Sequence, residues 1–147
     1  MRARDANPVF ESIAESLSEV AVVGQRGRLL ILEEDASALL DSAEGEVPAR
    51  LLPQFDALIM GHKDKTRFID PEARSRIFLP RADVAATMLV DGRVQGVWTL
   101  KKGRRAWRLE LSPFSKLPRE RVEEVEAEVD RMQRFTGFEI ELVWKKA

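Results

Sequence analysis

Between residues 84 and 112 apolar and polar side chains alternate with a period of two, and this pattern limits the fold more than anything else in the chain. A strand sends successive side chains to opposite faces, whereas a helix cannot hold such an alternation on one side. Asp91-Gly92, a dipeptide that favours the tight turns of hairpins, divides a strand over 84–90 from one over 93–100. A basic turn around Gly103 leads to a third strand. There Ala106, Arg108, Glu110 and Ser112 share one face, and Trp107, Leu109 and Leu111 the other. Three such runs predict an antiparallel meander with one buried face.

The flanks add helices. Pro118 heads a long helix that ends at Gly137, with Val122, Val125, Val129, Met132 and Phe135 as its apolar stripe and Asp130–Arg134 at i,i+4 spacing. Residues 138–144 alternate again and read as a last strand. Near the start, Asn7-Pro8 signals a helix start, and Phe10, Ile13, Leu17 and Val20 give its stripe. Two β-prone runs, 20–23 and 28–32, flank the turn Gly24-Gln25-Arg26-Gly27. A short helix follows from about Asp35, with Leu39 and Leu40 expected inside. Helix then hairpin is the closing part of a winged-helix unit. Residues 41–48 are acidic and rich in small residues, and read as a linker. Asp70-Pro71 starts a helix of two turns that ends near Phe78. The expected class is α+β: a winged-helix remnant over residues 1–48, then a small antiparallel β-barrel or curved sheet over 49–147 with the long helix packed on it.

Charge decides what such a scaffold can bind. The net charge is −1, yet its distribution is uneven. Residues 1–60 carry a net −6, residues 61–108 a net +7, and residues 109–147 a net −2. Concentrated positive charge steers an anion even when the total is near zero. The chain has no cysteine, so thiolate nucleophiles, thiolate metal sites and disulfides are excluded. No run approaches the roughly 20 apolar residues of a membrane helix, and the first residues lack the apolar stretch of a signal peptide. The cytoplasm is therefore the expected compartment, with no membrane partner, no cofactor and no metal.

The run over residues 51–70, LLPQFDALIMGHKDKTRFID, joins these themes. Its first half, with Leu51, Leu52, Phe55, Leu58, Ile59 and Met60, is built for burial. Its second half holds His62, Lys63, Lys65 and Arg67, with Asp64 among them. His62 is the sole histidine, so no two-imidazole relay or His-pair metal site can be drawn. It is open to three readings: a lone general base, a phosphate contact or a boundary residue. Asp56, inside an apolar run, reads as a carboxylate that satisfies nearby backbone or an arginine. The turn residues Lys101, Lys102, Arg104 and Arg105, with Arg108, form a second basic group beside Trp107. Phosphate contacts need such heads on a rigid frame, and a hairpin tip is one; a merely solvated tip is the alternative. Trp107 alternates with Leu109 and so belongs to the core side. The glycines never take a phosphate-cradling spacing ahead of a helix.

These residues resemble a known family. LLPQFDALIMGHKDKTRFID is similar to the L-L-P-x-F-D-x-L-L-x-x-x-x-D-R/K-x-R signature of the winged-helix DNA-binding proteins that include the AlkZ-type DNA glycosylases. TMLVDGRVQGVWTL resembles their V-L-V-D-G-x-V-x-G-x-W segment, and SPFSKLPRERVEEVEAEVDRMQRF their closing helix ending in R-F. Upstream, SLSEVAVVGQRGRLLILEEDASALL resembles the wing and following helix of the last winged-helix unit. The likeness runs from about Leu17 to Phe135. It implies tandem winged helices followed by a small C-terminal β-barrel, of which this chain holds the tail and the barrel. It also implies excision of alkylated bases and unhooking of interstrand crosslinks. The catalytic Gln-apolar-Gln or Gln-apolar-Asp motif of such enzymes lies in an N-terminal winged helix, outside the matched stretch. Gln54-Phe55-Asp56 spells that motif by chance, since Gln54 falls on the variable position of the L-L-P-x-F-D signature.

The expected function is a DNA-binding or scaffold module without catalytic residues of its own. His62, Lys63, Lys65, Arg67, Lys101, Lys102, Arg104 and Arg105 are the expected DNA contacts. Two alternatives stand beside it. One is a part of a glycosylase that needs a further region or partner chain. The other is a structural module that forms a homodimer or takes a partner chain through the winged-helix edge, with residues 20–23 and 29–32 as the pairing surface.

Overall fold

The first unit is a helix, a hairpin and a second helix. The computed structural model describes residues 3–21, 27, 29–40 and 47–146, and the chain divides into two units, Met1–Gly45 and Glu46–Ala147. In the first, α1 (Ala3–Ser12) and a 3-10 turn (Ala14–Ser16) lead into β1 (Leu17–Val20), β2 (Leu29–Leu32) and α2 (Glu33–Leu40). β1 and β2 pair antiparallel, from Leu17↔Leu32 to Val20↔Leu29. Leu17 and Val20 therefore belong to a strand and not to the helical stripe expected for them. The Ser12 and Ser16 hydroxyls each donate to the carbonyl three residues back, at 2.8 Å. Such local bonds compete with helix continuation. Pro8 lies inside α1 rather than at its first position. Leu39 is 48% exposed, against the expectation of burial; α2 lies against the hairpin, and Ala36 is its least exposed described residue. The Leu40 side chain, turn residues 24–26 and linker residues 41–46 lie outside the described residues.

The second unit runs β3 (Arg50–Leu52), α3 (Ala57–Gly61), a 3-10 turn (Pro71–Ala73) continuing as α4 (Arg74–Ile77), and a short β4 (Phe78–Leu79)–β5 (Asp83–Val84) pair. Then come β6 (Ala86–Val90), β7 (Arg93–Lys102), β8 (Ala106–Pro113), α5 (Arg119–Thr136) and β9 (Glu139–Trp144). The main sheet has the order β3-β6-β7-β8-β9. The meander β6-β7-β8 is antiparallel, as the alternation predicts. Asp91 and Gly92 take φ of 50° and 70°, the left-handed pair of a two-residue hairpin turn.

The expected antiparallel barrel does not form. β9 pairs parallel to β8, Ala106↔Glu139 through Leu111↔Trp144, and β3 and β9 remain unpaired edges of an open sheet. The reason is α5. It carries the chain back along the sheet, so the next strand must start at the same end as β8.

Both faces of the sheet hold core, not one. On one face Met88, Val90, Leu109, Leu111 and Ile140 pack with Val125 and Val129 of α5. On the other, Leu89 and Val94 pack with Ile59, Phe68, Ile69, Ile77 and Val84 from the segment before β6. All five residues of β6 are buried, which fits a strand covered on both sides. The α5 stripe holds at Val122, Val125, Val129 and Met132 but fails at Phe135, which is 92% exposed. Thr136, four residues after Met132, is the next position on that face and is half-buried; Phe135 is turned off by one residue of rotation. Asp130 and Arg134 make no ion pair with each other; among the described residues the pairs within α5 are Arg119–Glu123, Arg121–Glu124 and Glu128–Arg131.

Candidate nucleic-acid interface

The 51–70 run enters the sheet before it reaches the surface. Leu51 and Leu52 pair with Met88 and Thr87. The Asp56 carboxylate then accepts from the Leu58 N–H at 2.8 Å and so caps α3, the backbone-holding role that its apolar setting predicts. That bond commits Asp56 to structure. Gln54 lines an open depression of about 430 Å³ with Pro53, Ala86, Trp98, Thr99 and Leu100. None of those residues is an acid or a base at neutral pH.

Beyond α3 the basic residues divide by role. The His62 ring meets buried Phe68 edge-on, centroids 5.5 Å apart. Lys65 donates to the carbonyls of His62 and Met60, and its ammonium lies 5.6 Å from the Phe78 ring centre. Asp64 accepts from the Thr66 N–H at 2.9 Å and from the Thr66 hydroxyl at 2.7 Å. Those bonds, and then nearby Arg67, hold its carboxyl below the usual carboxylate range. Arg93 donates to the Arg67 carbonyl at 3.2 Å and pairs with Asp70. His62 and Lys65 thus stiffen the loop, while Lys63 and Arg67 keep exposed heads without an ion pair among the described residues.

The β7–β8 tip is the second group. A Cβ at Gly103 would overlap the Ala106 carbonyl oxygen, a backbone atom that cannot give way, so glycine lets this turn close tightly. Lys101 reaches Glu110 at 3.2 Å. Lys102 places its ammonium 4.9 Å from the Trp107 ring centre. Arg104 and Arg105 are exposed and make no ion pair among the described residues. Trp107 is half-buried against the core, as its alternation predicts. It also stacks on Phe138, 4.7 Å between centroids and 14° between planes.

The eight residues do not gather into one patch. Val94 N–H donates to the Phe68 carbonyl at 2.7 Å, which ties Arg67 and Phe68 to the start of β7. The tip follows the end of β7. Nine residue steps at about 3.3 Å each put roughly 30 Å between these points.

A carboxylate that the sequence did not mark sits near the tip. Glu110, with its side chain 10% exposed, accepts from Lys145 at 2.7 Å and Lys101 at 3.2 Å, with Arg108 at 3.3 Å. Lys145 and then Lys101 hold its carboxyl at about 2, below the ordinary 4.5. A depressed folded-state value means that this contribution to stability is complete above about pH 4.5 and is lost as pH falls toward 2. Glu110→Gln is therefore expected to lower the Tm at pH 7 and to narrow the gap from the wild type as pH drops below 4.5. Thermal melts across that range check this; a gap that stays constant would contradict it. Among the described residues no group of three His, Asp or Glu side chains is placed to hold a metal ion, and no helix is long and apolar enough to cross a membrane.

An α+β module with an open sheet, a basic hairpin tip and a basic loop fits a protein that meets a polyanion. The family follows from direct comparison. A model of the AlkZ-like DNA glycosylases matches residues 1–135, and the chain belongs to that family. It is similar to an interstrand DNA cross-link repair glycosylase of Streptomyces sahachiroi, 30% identical over 129 residues, covering 87% of this chain and 33% of that protein. The fold is similar to the structure of Streptomyces sahachiroi DNA glycosylase AlkZ, with a TM-score of 0.72 and 27% identity over 97% of this chain and 38% of that one. The chain thus spans about a third of the length of the relatives it matches.

Proposed function

We propose that this chain is a DNA-binding module of the AlkZ-like family, non-catalytic by itself, that grips backbone phosphate. The observation that carries the reading is the β7–β8 tip. It holds Lys102, Arg104 and Arg105 on a hairpin whose strands belong to the central sheet, with the two arginines unpaired with any carboxylate among the described residues. Phosphate contacts of this kind position a protein on DNA without reading sequence. Lys63 and Arg67 supply further contacts of the same type at the far end of β7. The helix–hairpin–helix order of the first unit supports its assignment as the end of a winged helix. The reading puts the chain in the cytoplasm and assigns base excision to residues beyond these 147.

The chain alone is expected to release no base from alkylated duplex DNA while still binding that duplex. A base-release assay with a parallel binding titration checks this. Release that depends on Gln54 or Asp56 would overturn the non-catalytic part. A second reading has one observation in its favour: Val9, Phe10, Leu30, Leu32 and Leu39 of the first unit are exposed. That apolar surface suits a further protein surface or a second copy. Sedimentation at micromolar concentration decides between monomer and dimer.

A further inference from the structure

Phe138 is conspicuous for its position. It is 41% exposed, one inner face rests on Trp107, and the ammonium of Lys102 lies near the same tryptophan ring. Trp107 is thereby half-buried, whereas Phe138 is exposed. The parallel register sets Ala106 opposite Glu139, so Phe138 lies one step earlier, beside Arg105. Phe135, three residues back across the helix end at Gly137, is exposed too. Exposed aromatic surface among unpaired cations is what a nucleotide chain with free bases needs. The cations take the phosphates and the ring takes a base face. Glu139 is exposed next to Phe138 and is an opposing charge to these cations.

We propose that the open face of Phe138, backed by Trp107 and flanked by Lys102, Arg104 and Arg105, stacks on an unpaired base of single-stranded DNA. The inference rests on the DNA-binding reading above and adds a preference to it. Paired bases in a duplex present no free face, so the ring contributes only where DNA is frayed, gapped or single-stranded.

The test compares a labelled 12-nucleotide thymidine strand with a 12-base-pair duplex, using fluorescence anisotropy on the wild type, Phe138→Leu and Phe138→Ala. Leucine keeps apolar cover over Trp107 and lacks the stacking face. Both variants are expected to weaken single-strand binding by about tenfold, the usual effect of losing one base–aromatic stack, with duplex binding unchanged. Unchanged single-strand affinity in both variants, or equal losses on strand and duplex, would overturn the inference. A wild-type chain that binds neither form would overturn the DNA-binding reading along with it.

Discussion

Truncating Leu109 to alanine is expected to destabilise the protein by about 3 kcal/mol, the middle of the range for emptying a packed leucine site. Leu109 is fully buried on β8, between β7 and β9 and beneath α5. Its neighbours Met88, Val125, Val129 and Ile140 come from three elements, β6, α5 and β9. None can move into the gap without losing its own packing, so the cavity persists. Against a total of about 5–15 kcal/mol for a domain, that loss is large. For a unit of this size it lowers the Tm by about 15 °C. Denaturant midpoints compared at a common slope measure it. A cost under about 1 kcal/mol would show that the site collapses and that the β8–α5 contact is not the centre of the core.

Replacing Arg104 and Arg105 together by glutamine is expected to weaken duplex binding by about 30-fold at 0.15 M salt, with no change in fold. Each phosphate contact adds about 0.9 to the salt slope, so two lost contacts flatten it by about 1.8 and cost about 1.5 decades at that salt. The two arginines suit the test because they make no ion pair with any described residue. Lys101 does not suit it. That side chain neutralises Glu110, so reversing its charge disturbs the fold as well as any DNA contact. A double variant with wild-type affinity and wild-type slope would remove the tip from the interface.

Much of this architecture is legible in the sequence because periodicity reports burial directly. The three meander strands, their Asp91-Gly92 turn, the Pro118-to-Gly137 helix and the Asp56 cap all follow from local pattern. What is not legible depends on distant partners. The parallel pairing of β9 requires knowing where α5 lands, and residues 138–144 read the same in either orientation. The placement of Leu17 and Val20 in β1 depends on Leu29–Leu32. Phe135 looks apolar enough for the stripe, and only the count of four from Met132 to Thr136 turns it outward. The candidate site divides in the same way. Basic residues are visible as composition, but a string of letters does not show that Lys65 is spent on loop carbonyls and Lys101 on Glu110. Nor does it show that Arg67 and Arg105 stand near opposite ends of β7. Phe138 carried no signal as a site residue, since its place beside Trp107 and Arg105 comes from the β8–β9 register alone.

The AlkZ-like assignment gives the basic tip its context, and the tip gives the assignment a physical handle. The central claim is that this chain holds DNA through its phosphates. The most direct measurement is the duplex affinity of the wild-type chain between 50 and 300 mM salt. Lys102, Arg104 and Arg105 acting together predict a straight line of log K against log salt with a slope of about −2.7, steeper if Lys63 and Arg67 join them. A flat line, or no binding at the lowest salt, would contradict the account.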